Sequence, residues 1–124
     1  MKFKDIKFKE TKMPKGIQSL LMFGDYELSI IQSDFSYGGK QGLYEIAVMK
    51  DDVQVEMPGI TQEGDTVRGF LSESEVEGII KKMHLVSGAD PKPIKENNEY
   101  PVGPQDTQGT RMDDSYYFFK KESN

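Results

Sequence analysis

The chain has 124 residues, no Cys and no Trp, and 30% of its residues are charged, for a net charge of −5 at pH 7. This length suits a single domain with one hydrophobic core, and without Cys no disulfide can form. The longest apolar runs are residues 20–23 and 46–49, far shorter than the roughly 20 residues of a membrane-spanning helix, so we expect a cytoplasmic protein with no membrane segment.

The charge is unevenly distributed along the chain. Residues 1–24 carry six Lys against two acidic residues, whereas residues 25–80 carry twelve acidic residues against three basic ones. Nucleic-acid binding needs clustered Lys or Arg, so the acidic middle argues against it for the core. The basic N-terminus has two interpretations, a nucleic-acid contact or the solvent face of an edge strand on which Lys discourages edge-to-edge pairing. The Lys residues of that face are Lys2, Lys4, Lys7 and Lys9.

The first half of the chain predicts a series of strands. Residues 2–10 are predicted as a first strand or a partly ordered arm, and residues 17–23 as a strand or a single helical turn. Alternating apolar residues predict strands over residues 26–33, 43–50 and 53–57. Consecutive strands of this kind favour an antiparallel meander.

One amphipathic helix follows these strands. Ser72 serves as its N-cap and Glu75 closes a capping box, while Leu71 and Val76 form a hydrophobic staple. The apolar stripe of the helix consists of Val76, Ile79, Ile80 and Met83. Acidic residues precede basic ones along the helix, as its dipole favours, and Gly88 provides the C-terminal stop.

These elements predict an α+β fold in two layers, a small antiparallel sheet of three to five strands with one helix over about residues 72–86 packed on one face. We expect a single domain over residues 1–88, including the Lys-rich first strand or arm. Residues 89–124 are rich in Pro, Asn and Gly and predict an irregular extension with a short final strand. The stretch over residues 89–114 is long for a connection without regular structure, so it is either a flexible linker or a segment that orders on a partner.

Two loops are candidate binding surfaces. The glycine-rich loop (residues 34–42) combines the rings of Phe35 and Tyr37 with the cation of Lys40, and its glycines allow close backbone approach. The alternative is a long hairpin whose glycines satisfy backbone geometry while Phe35 packs inward. The acidic loop (residues 61–65) is the second surface. The candidate partner- or ligand-binding residues of the two loops are Phe35, Tyr37, Gly38, Gly39, Lys40, Glu63 and Asp65.

An aromatic run near the C-terminus is the third candidate surface. A strand over residues 115–121 places rings on both of its faces, so one face needs a helix, a second subunit or a foreign protein as a partner. The alternative is a final strand whose outer rings are covered by the tail. The candidate residues are Tyr116, Tyr117 and Phe118, and we expect any homo-oligomer to form through this segment.

The sequence contains no pattern of residues that indicates catalysis. His84 is the only His, and its position at a helix C-terminus accounts for it without chemistry. With one His and no Cys a zinc site is not expected, and the carboxylate pairs lack the spacing of an EF-hand. We therefore predict a protein that is not an enzyme and holds no metal or cofactor. The enzyme alternative is a carboxylate- or metal-dependent hydrolase.

Two stretches of the chain resemble a group of small, mostly uncharacterised bacteriophage and prophage proteins. They are YGGKQGLYEIAVM (residues 37–49) and TQEGDTVRGFLSESEVEGIIKKM (residues 61–83). The pattern of the phage proteins is a Gly-Gly turn into a strand, followed by a polar loop and a helix. The resemblance covers about residues 24–85 and transfers no functional residue. It implies a protein made in a bacterial cytoplasm during infection or lysogeny.

These features together predict a non-enzymatic phage or prophage accessory protein that binds and inhibits a host or defence protein. The acidic middle and the missing catalytic pattern favour binding, and the resemblance supplies the setting, in which small acidic proteins are often inhibitors. One alternative is a sequestering protein that encloses a small nucleotide-like molecule. Another is a minor virion or assembly component.

Overall fold

The computed structural model describes residues 1–93, in which one helix packs on an antiparallel sheet. The α+β prediction is confirmed. Helix α1 spans Glu73–Ser87. The sheet has seven strands, which are β1 (Lys9–Lys12), β2 (Lys15–Phe23), β3 (Tyr26–Ser33), β4 (Tyr44–Lys50), β5 (Val53–Gln54), β6 (Val67–Leu71) and β7 (Lys92–Pro93). The predicted strand over residues 115–121 lies outside the described residues.

The centre of the sheet is an antiparallel meander of β2, β3 and β4. The predicted meander over residues 26–33, 43–50 and 53–57 corresponds to β3, β4 and the short β5, which also pair antiparallel in chain order. Each outer strand of the meander is flanked by two short strands. β1 pairs with the first half of β2 and β7 with its second half. β6 pairs with the first half of β4 and β5 with its end. Within residues 1–93, no helix is long and apolar enough to cross a membrane.

The ends of α1 follow the prediction closely. The Glu75 N–H donates to Ser72 Oγ at 3.2 Å, and the Ser72 N–H donates to Glu75 Oε1 at 2.8 Å, which completes the capping box. The bond from the Ser72 N–H to the carboxylate, together with the Ser72 side chain, holds the pKa of the Glu75 carboxyl below its ordinary value. At the other end Gly88 has φ 72°, and its N–H donates to the His84 carbonyl at 2.8 Å.

The core lies between α1 and one face of the sheet. Alternate residues of the central strands point to that face, where they meet the apolar stripe of the helix. The residues of this core that are at most 4% exposed include Leu21, Phe23, Leu28, Ile30, Ile46, Val48, Val76, Ile79, Ile80 and Met83. The single helix therefore covers the face that its amphipathic pattern requires.

The Lys-rich N-terminus does not form the long edge strand that was one interpretation of it. Residues Phe3–Asp5 form a short 3-10 turn, and of the four Lys residues assigned to that strand only Lys9 lies in β1. The rings of Phe3 and Phe8 pack on Tyr44, with centroid distances of 5.1 and 5.8 Å. The segment packs against the core without forming a strand, because the rings of Phe3 and Phe8 are partly buried there.

The region between β5 and α1 also departs from the prediction. The strand expected over residues 53–57 ends at Gln54, because the chain turns so that Met57 and Ile60 enter the core. Thr61 holds this turn, since its Oγ1 accepts the Met57 N–H at 2.9 Å and donates to the Met57 carbonyl at 3.2 Å. Val67–Leu71 forms strand β6, a strand that the alternation pattern did not predict.

Candidate recognition surface at the glycine-rich loop

The glycine-rich loop connects β3 to β4 and is held by hydrogen bonds among its own residues. Ser36 Oγ accepts the Ser33 N–H at 2.9 Å and donates to the Ser33 carbonyl at 3.0 Å. The Gly39 N–H donates to the Ser36 carbonyl at 3.0 Å, and the Leu43 N–H donates to the Gly38 carbonyl at 2.9 Å. These bonds give the backbone of the loop a defined conformation.

The two glycines predicted as site residues serve the backbone of this loop. A Cβ at Gly39 would overlap the carbonyl oxygen of Ser33. Gly38 has φ 86°, and a Cβ there would lie 2.9 Å from the Cα of Phe70. Both positions therefore require Gly because of conformation and close approach, which explains them without a ligand.

Tyr37 and Phe70 form an exposed aromatic pair where the loop meets β6. Their ring centroids lie 6.4 Å apart with planes inclined by 22°, and the two residues are 58% and 56% exposed. The Phe70 N–H donates to the Tyr37 carbonyl at 3.1 Å. A Cβ at Gly69 would overlap the Cβ of Tyr37, so the loop lies directly against the strand.

The backbone of Phe70 is unusual for a bulky residue. Its φ of 57° lies in the left-handed region, which is a genuine outlier for a residue of this kind. It occurs where the register between β6 and β4 shifts, opposite the step from Tyr44 to Ile46, as expected at a β-bulge. Leu71 is 5% exposed while Phe70 is 56% exposed, so the bulge leaves one side chain in the core and the next in solvent.

Phe35 is the third exposed ring of this region. It is 84% exposed, so it does not pack inward as the hairpin alternative expected. Its N–H donates to Ser33 Oγ at 3.2 Å, which fixes the backbone while the ring stays in solvent. We call the three exposed rings Phe35, Tyr37 and Phe70 the aromatic edge.

The segments that carry the aromatic edge also carry charged residues. Glu45 Oε1 accepts the Tyr37 N–H at 2.8 Å, which places a carboxylate beside the base of that ring. Asp34 and Lys40 are exposed on the loop, and Arg68 precedes Phe70 on β6. Of the predicted site residues, Tyr37 and Gly38 are thus brought against Phe70, while Lys40 remains a solvent-facing loop residue.

The acidic loop lies at the other end of β6. It is closed by the Gln62 N–H, which donates to the Val67 carbonyl at 2.9 Å, and by the Gly64 N–H, which donates to Glu56 Oε2 at 2.8 Å. Glu63 and Asp65 are exposed. Val67, where β6 begins, is three residues from Phe70 and so about 10 Å away along the strand, at about 3.3 Å per residue. Glu63 and Asp65 lie before that end of the strand, so the two loops do not form one compact site.

The site predicted from the sequence lacks one residue of the aromatic edge and includes three residues that the structure does not describe. Phe70 was missed, although a signal existed: Leu71 is buried as the residue before the N-cap, so its neighbour on a strand faces away from the core. The predicted residues Tyr116, Tyr117 and Phe118 lie outside the described residues.

Glu27 is a titratable residue that the sequence did not single out. It lies on the sheet face opposite α1, between Met22 and Met49 in the strand register. Burial raises the pKa of its carboxyl to about 7, and the charge of Asp52 adds to the effect. This carboxylate is set among apolar side chains and not within a cluster of acid–base partners.

Residues 1–93 show no group of three or more His, Asp or Glu side chains that could hold a metal ion. The carboxylate pair Asp51-Asp52 forms the turn between β4 and β5, with φ of 54° and 65°, as in a two-residue hairpin turn. His84 Nδ1 lies 3.0 Å from the Ala89 carbonyl oxygen and 3.3 Å from Asp90 Oδ1, which are contacts of the helix end.

Comparison with known proteins adds no relative to this description. No family model, no curated protein and no solved structure matches the chain. The resemblance to small phage and prophage proteins stays a prediction, and the functional argument below starts from the geometry of the aromatic edge.

Proposed function

We propose that this protein is a non-enzymatic binding module that recognises a partner protein through the aromatic edge. The observation that carries the proposal is the pair Tyr37 and Phe70, whose rings are 58% and 56% exposed on a backbone held by hydrogen bonds. Aromatic side chains are enriched among the residues that dominate binding energy at protein interfaces. Exposed rings on a rigid support therefore favour recognition of another protein.

The rigidity of the support favours tight recognition as well. A loop that is ordered before binding loses little conformational entropy on binding, so more of the contact energy contributes to affinity. The close approaches at Gly39 and Gly69 fix the loop against β6, and through it the position of Tyr37. This arrangement is what a pre-formed docking surface requires.

The biological role that we propose is that of a phage or prophage accessory protein that inhibits a host or defence protein. The resemblance of residues 37–49 and 61–83 to such proteins supports the setting, and the acidic composition of residues 25–80 supports a role in binding. In this role the aromatic edge covers a surface that the partner needs for its own activity.

The experiment is a capture from bacterial lysate with the tagged full-length chain as bait. The wild-type chain is compared with the double variant Tyr37→Ser, Phe70→Ser and with the control Val53→Ser, which removes an apolar side chain that is 61% exposed on β5. We expect a stoichiometric partner with the wild type and the control. Loss of at least two hot-spot contacts should weaken capture by the double variant more than about tenfold.

Two results would contradict this proposal. Capture of no stoichiometric partner from lysates of several bacteria would remove the basis for a protein partner. Equal capture by the wild type and the double variant would show that the partner binds elsewhere on the chain. Inhibition is then tested by assaying the captured partner with and without the purified wild-type chain.

A further inference from the structure

We infer that the aromatic edge receives a basic segment of its partner, with an arginine guanidinium seated against the rings of Tyr37 and Phe70. This inference rests on the proposed function and specifies the chemistry of the partner segment. It follows from the geometry of the two rings and from the charges that surround them.

The rings of Tyr37 and Phe70 are arranged to accept a flat group. Their planes are inclined by only 22°, and their centroids are 6.4 Å apart, at the wide end of the range for aromatic pairs. At this separation each ring leaves part of its surface to solvent, and each residue is more than half exposed. A planar guanidinium stacks on such surfaces and is attracted by the negative face of the ring.

The charges near the rings select a cation over an anion. Residues 34–45 carry Asp34 and Glu45 against Lys40, and residues 68–75 carry Glu73 and Glu75 against Arg68. The charge of Arg68 acts on Glu75, where it helps to lower the pKa of that carboxyl. The two chain segments that carry the rings therefore have more acidic than basic residues, and one of the acidic groups, Glu45, bonds the backbone of Tyr37.

The wider surface has the same sign. Residues 25–80 carry twelve acidic residues against three basic ones, and a field of this sign attracts positive and repels negative partners. A nucleotide offers an equally flat base for stacking, but its phosphates would enter this negative field. The ring geometry alone accepts both a guanidinium and a nucleotide base, and the negative charge favours the guanidinium.

Arginine fits this surface better than lysine does. An ammonium group is compact and strongly hydrated, whereas the guanidinium is planar and more weakly hydrated, so it loses less on contact with an aromatic face. Its donors remain free at its rim, and Asp34 is an exposed acceptor on the same loop as Tyr37. The partner segment is accordingly expected to place Arg, and not only general positive charge, at the rings.

The test titrates the full chain with an acetylated Gly-Arg-Gly-Arg-Gly amide peptide and follows the amide NMR signals of the labelled protein. The matched control peptide carries citrulline, the neutral isostere of arginine, at both positions. We expect saturable shifts centred on Tyr37, Gly38 and Phe70. The citrulline peptide should bind about fivefold more weakly, and raising NaCl from about 50 to about 500 mM should weaken arginine binding.

Variants of the chain locate the binding site of the peptide. The double variant Tyr37→Ser, Phe70→Ser should lose the saturable shifts, whereas Tyr37→Phe and Val53→Ser should keep them. Equal binding of the citrulline peptide overturns the inference. So do shifts centred on Glu63 and Asp65, or stronger shifts at the rings with adenosine monophosphate than with the arginine peptide.

These results are separable from the test of the proposed function. Capture of a protein partner that depends on Tyr37 and Phe70, together with no preference for arginine over citrulline, would overturn the inference and support the proposed function. Arginine-selective shifts at the rings, together with no captured partner in any lysate, would support the inference and contradict the proposed function.

Discussion

The protein has two groups of aromatic rings near the start of β4, and they differ in coverage. Phe3, Phe8 and Tyr44 lie with centroids 5.1 to 5.8 Å apart, and Tyr44 is only 8% exposed. Tyr37 and Phe70 lie 6.4 Å apart and are more than half exposed. We call Phe3, Phe8 and Tyr44 the covered aromatic group. The comparison teaches that coverage, and not residue type, separates rings that stabilise the fold from rings that are available to a partner.

The largest expected effect is in the covered aromatic group. Tyr44→Ala removes the ring that both Phe3 and Phe8 contact, and should lower the free energy of unfolding by about 3 kcal/mol through lost burial and a cavity. Urea denaturation monitored by circular dichroism measures it. The control Tyr44→Phe keeps the ring and loses only the hydroxyl, so it should cost about 1 kcal/mol. If Tyr44→Ala costs no more than Tyr44→Phe, the covered aromatic group does not stabilise the fold.

The next effect concerns the support of the aromatic edge. Gly39→Ala places a Cβ against the carbonyl oxygen of Ser33, and should destabilise the protein by about 2 to 3 kcal/mol because the loop must shift. Partner binding should fall with it. The control Gly64→Ala lies in open space with φ 76°, and should cost about 1 kcal/mol from backbone strain alone. Equal costs for the two variants would contradict the tight packing of the loop.

The third effect is a pH dependence of stability caused by Glu27, on the sheet face opposite α1. Burial raises the pKa of its carboxyl from 4.5 to about 7, so the folded state holds this proton more tightly than the unfolded state. The stability it contributes is complete below pH 4.5 and is lost as the pH rises through about 7. Glu27→Gln should therefore match the wild type at about pH 4 and exceed it by about 2 kcal/mol at about pH 8.

Urea denaturation at both pH values measures the difference for Glu27. The variant Glu27→Met is also uncharged, so it should show the same dependence on pH with a different constant offset. The same offset at both pH values for Glu27→Gln would mean that the carboxyl ionises in the folded protein as it does in the unfolded chain.

The smallest stability effect is expected at the aromatic edge itself. Tyr37→Ser and Phe70→Ser should each change the free energy of unfolding by less than about 0.5 kcal/mol, because exposed side chains away from the core contribute little. Their effect should appear in partner binding instead. Denaturation of the single variants provides the measurement. Destabilisation by more than about 2 kcal/mol would place these rings with the covered aromatic group.

Much of the fold could be predicted from local patterns. The capping box of Ser72 and Glu75, the apolar stripe of α1 and the stop at Gly88 depend on residues within one or two turns of each other. The alternation along β3 and β4 likewise depends on neighbours in the chain. These features could be predicted because the interactions that produce them occur within a single short segment of the chain.

The candidate site could be predicted only in part. The exposed rings Phe35 and Tyr37 came from the composition of a loop, but the role of Phe70 depends on a register shift between β6 and β4. The glycines were read as permissive for a ligand, whereas Gly39 is required by the carbonyl of Ser33 and Gly38 by Phe70. Contacts between segments distant in the chain decided these roles, whereas the local pattern at Leu71 indicates only that Phe70 faces away from the core.

The sequence by itself determined the fold class, the helix with both of its ends, and the acidic middle that disfavours anionic partners. These follow from hydrogen bonds, periodicity and charge that short segments carry on their own. Only the tertiary structure decided that Tyr37 stands beside Phe70, that Phe8 and Tyr44 are covered, and that Glu27 lies between methionines. Burial depends on which distant segments come together, and that is a property of the packed chain.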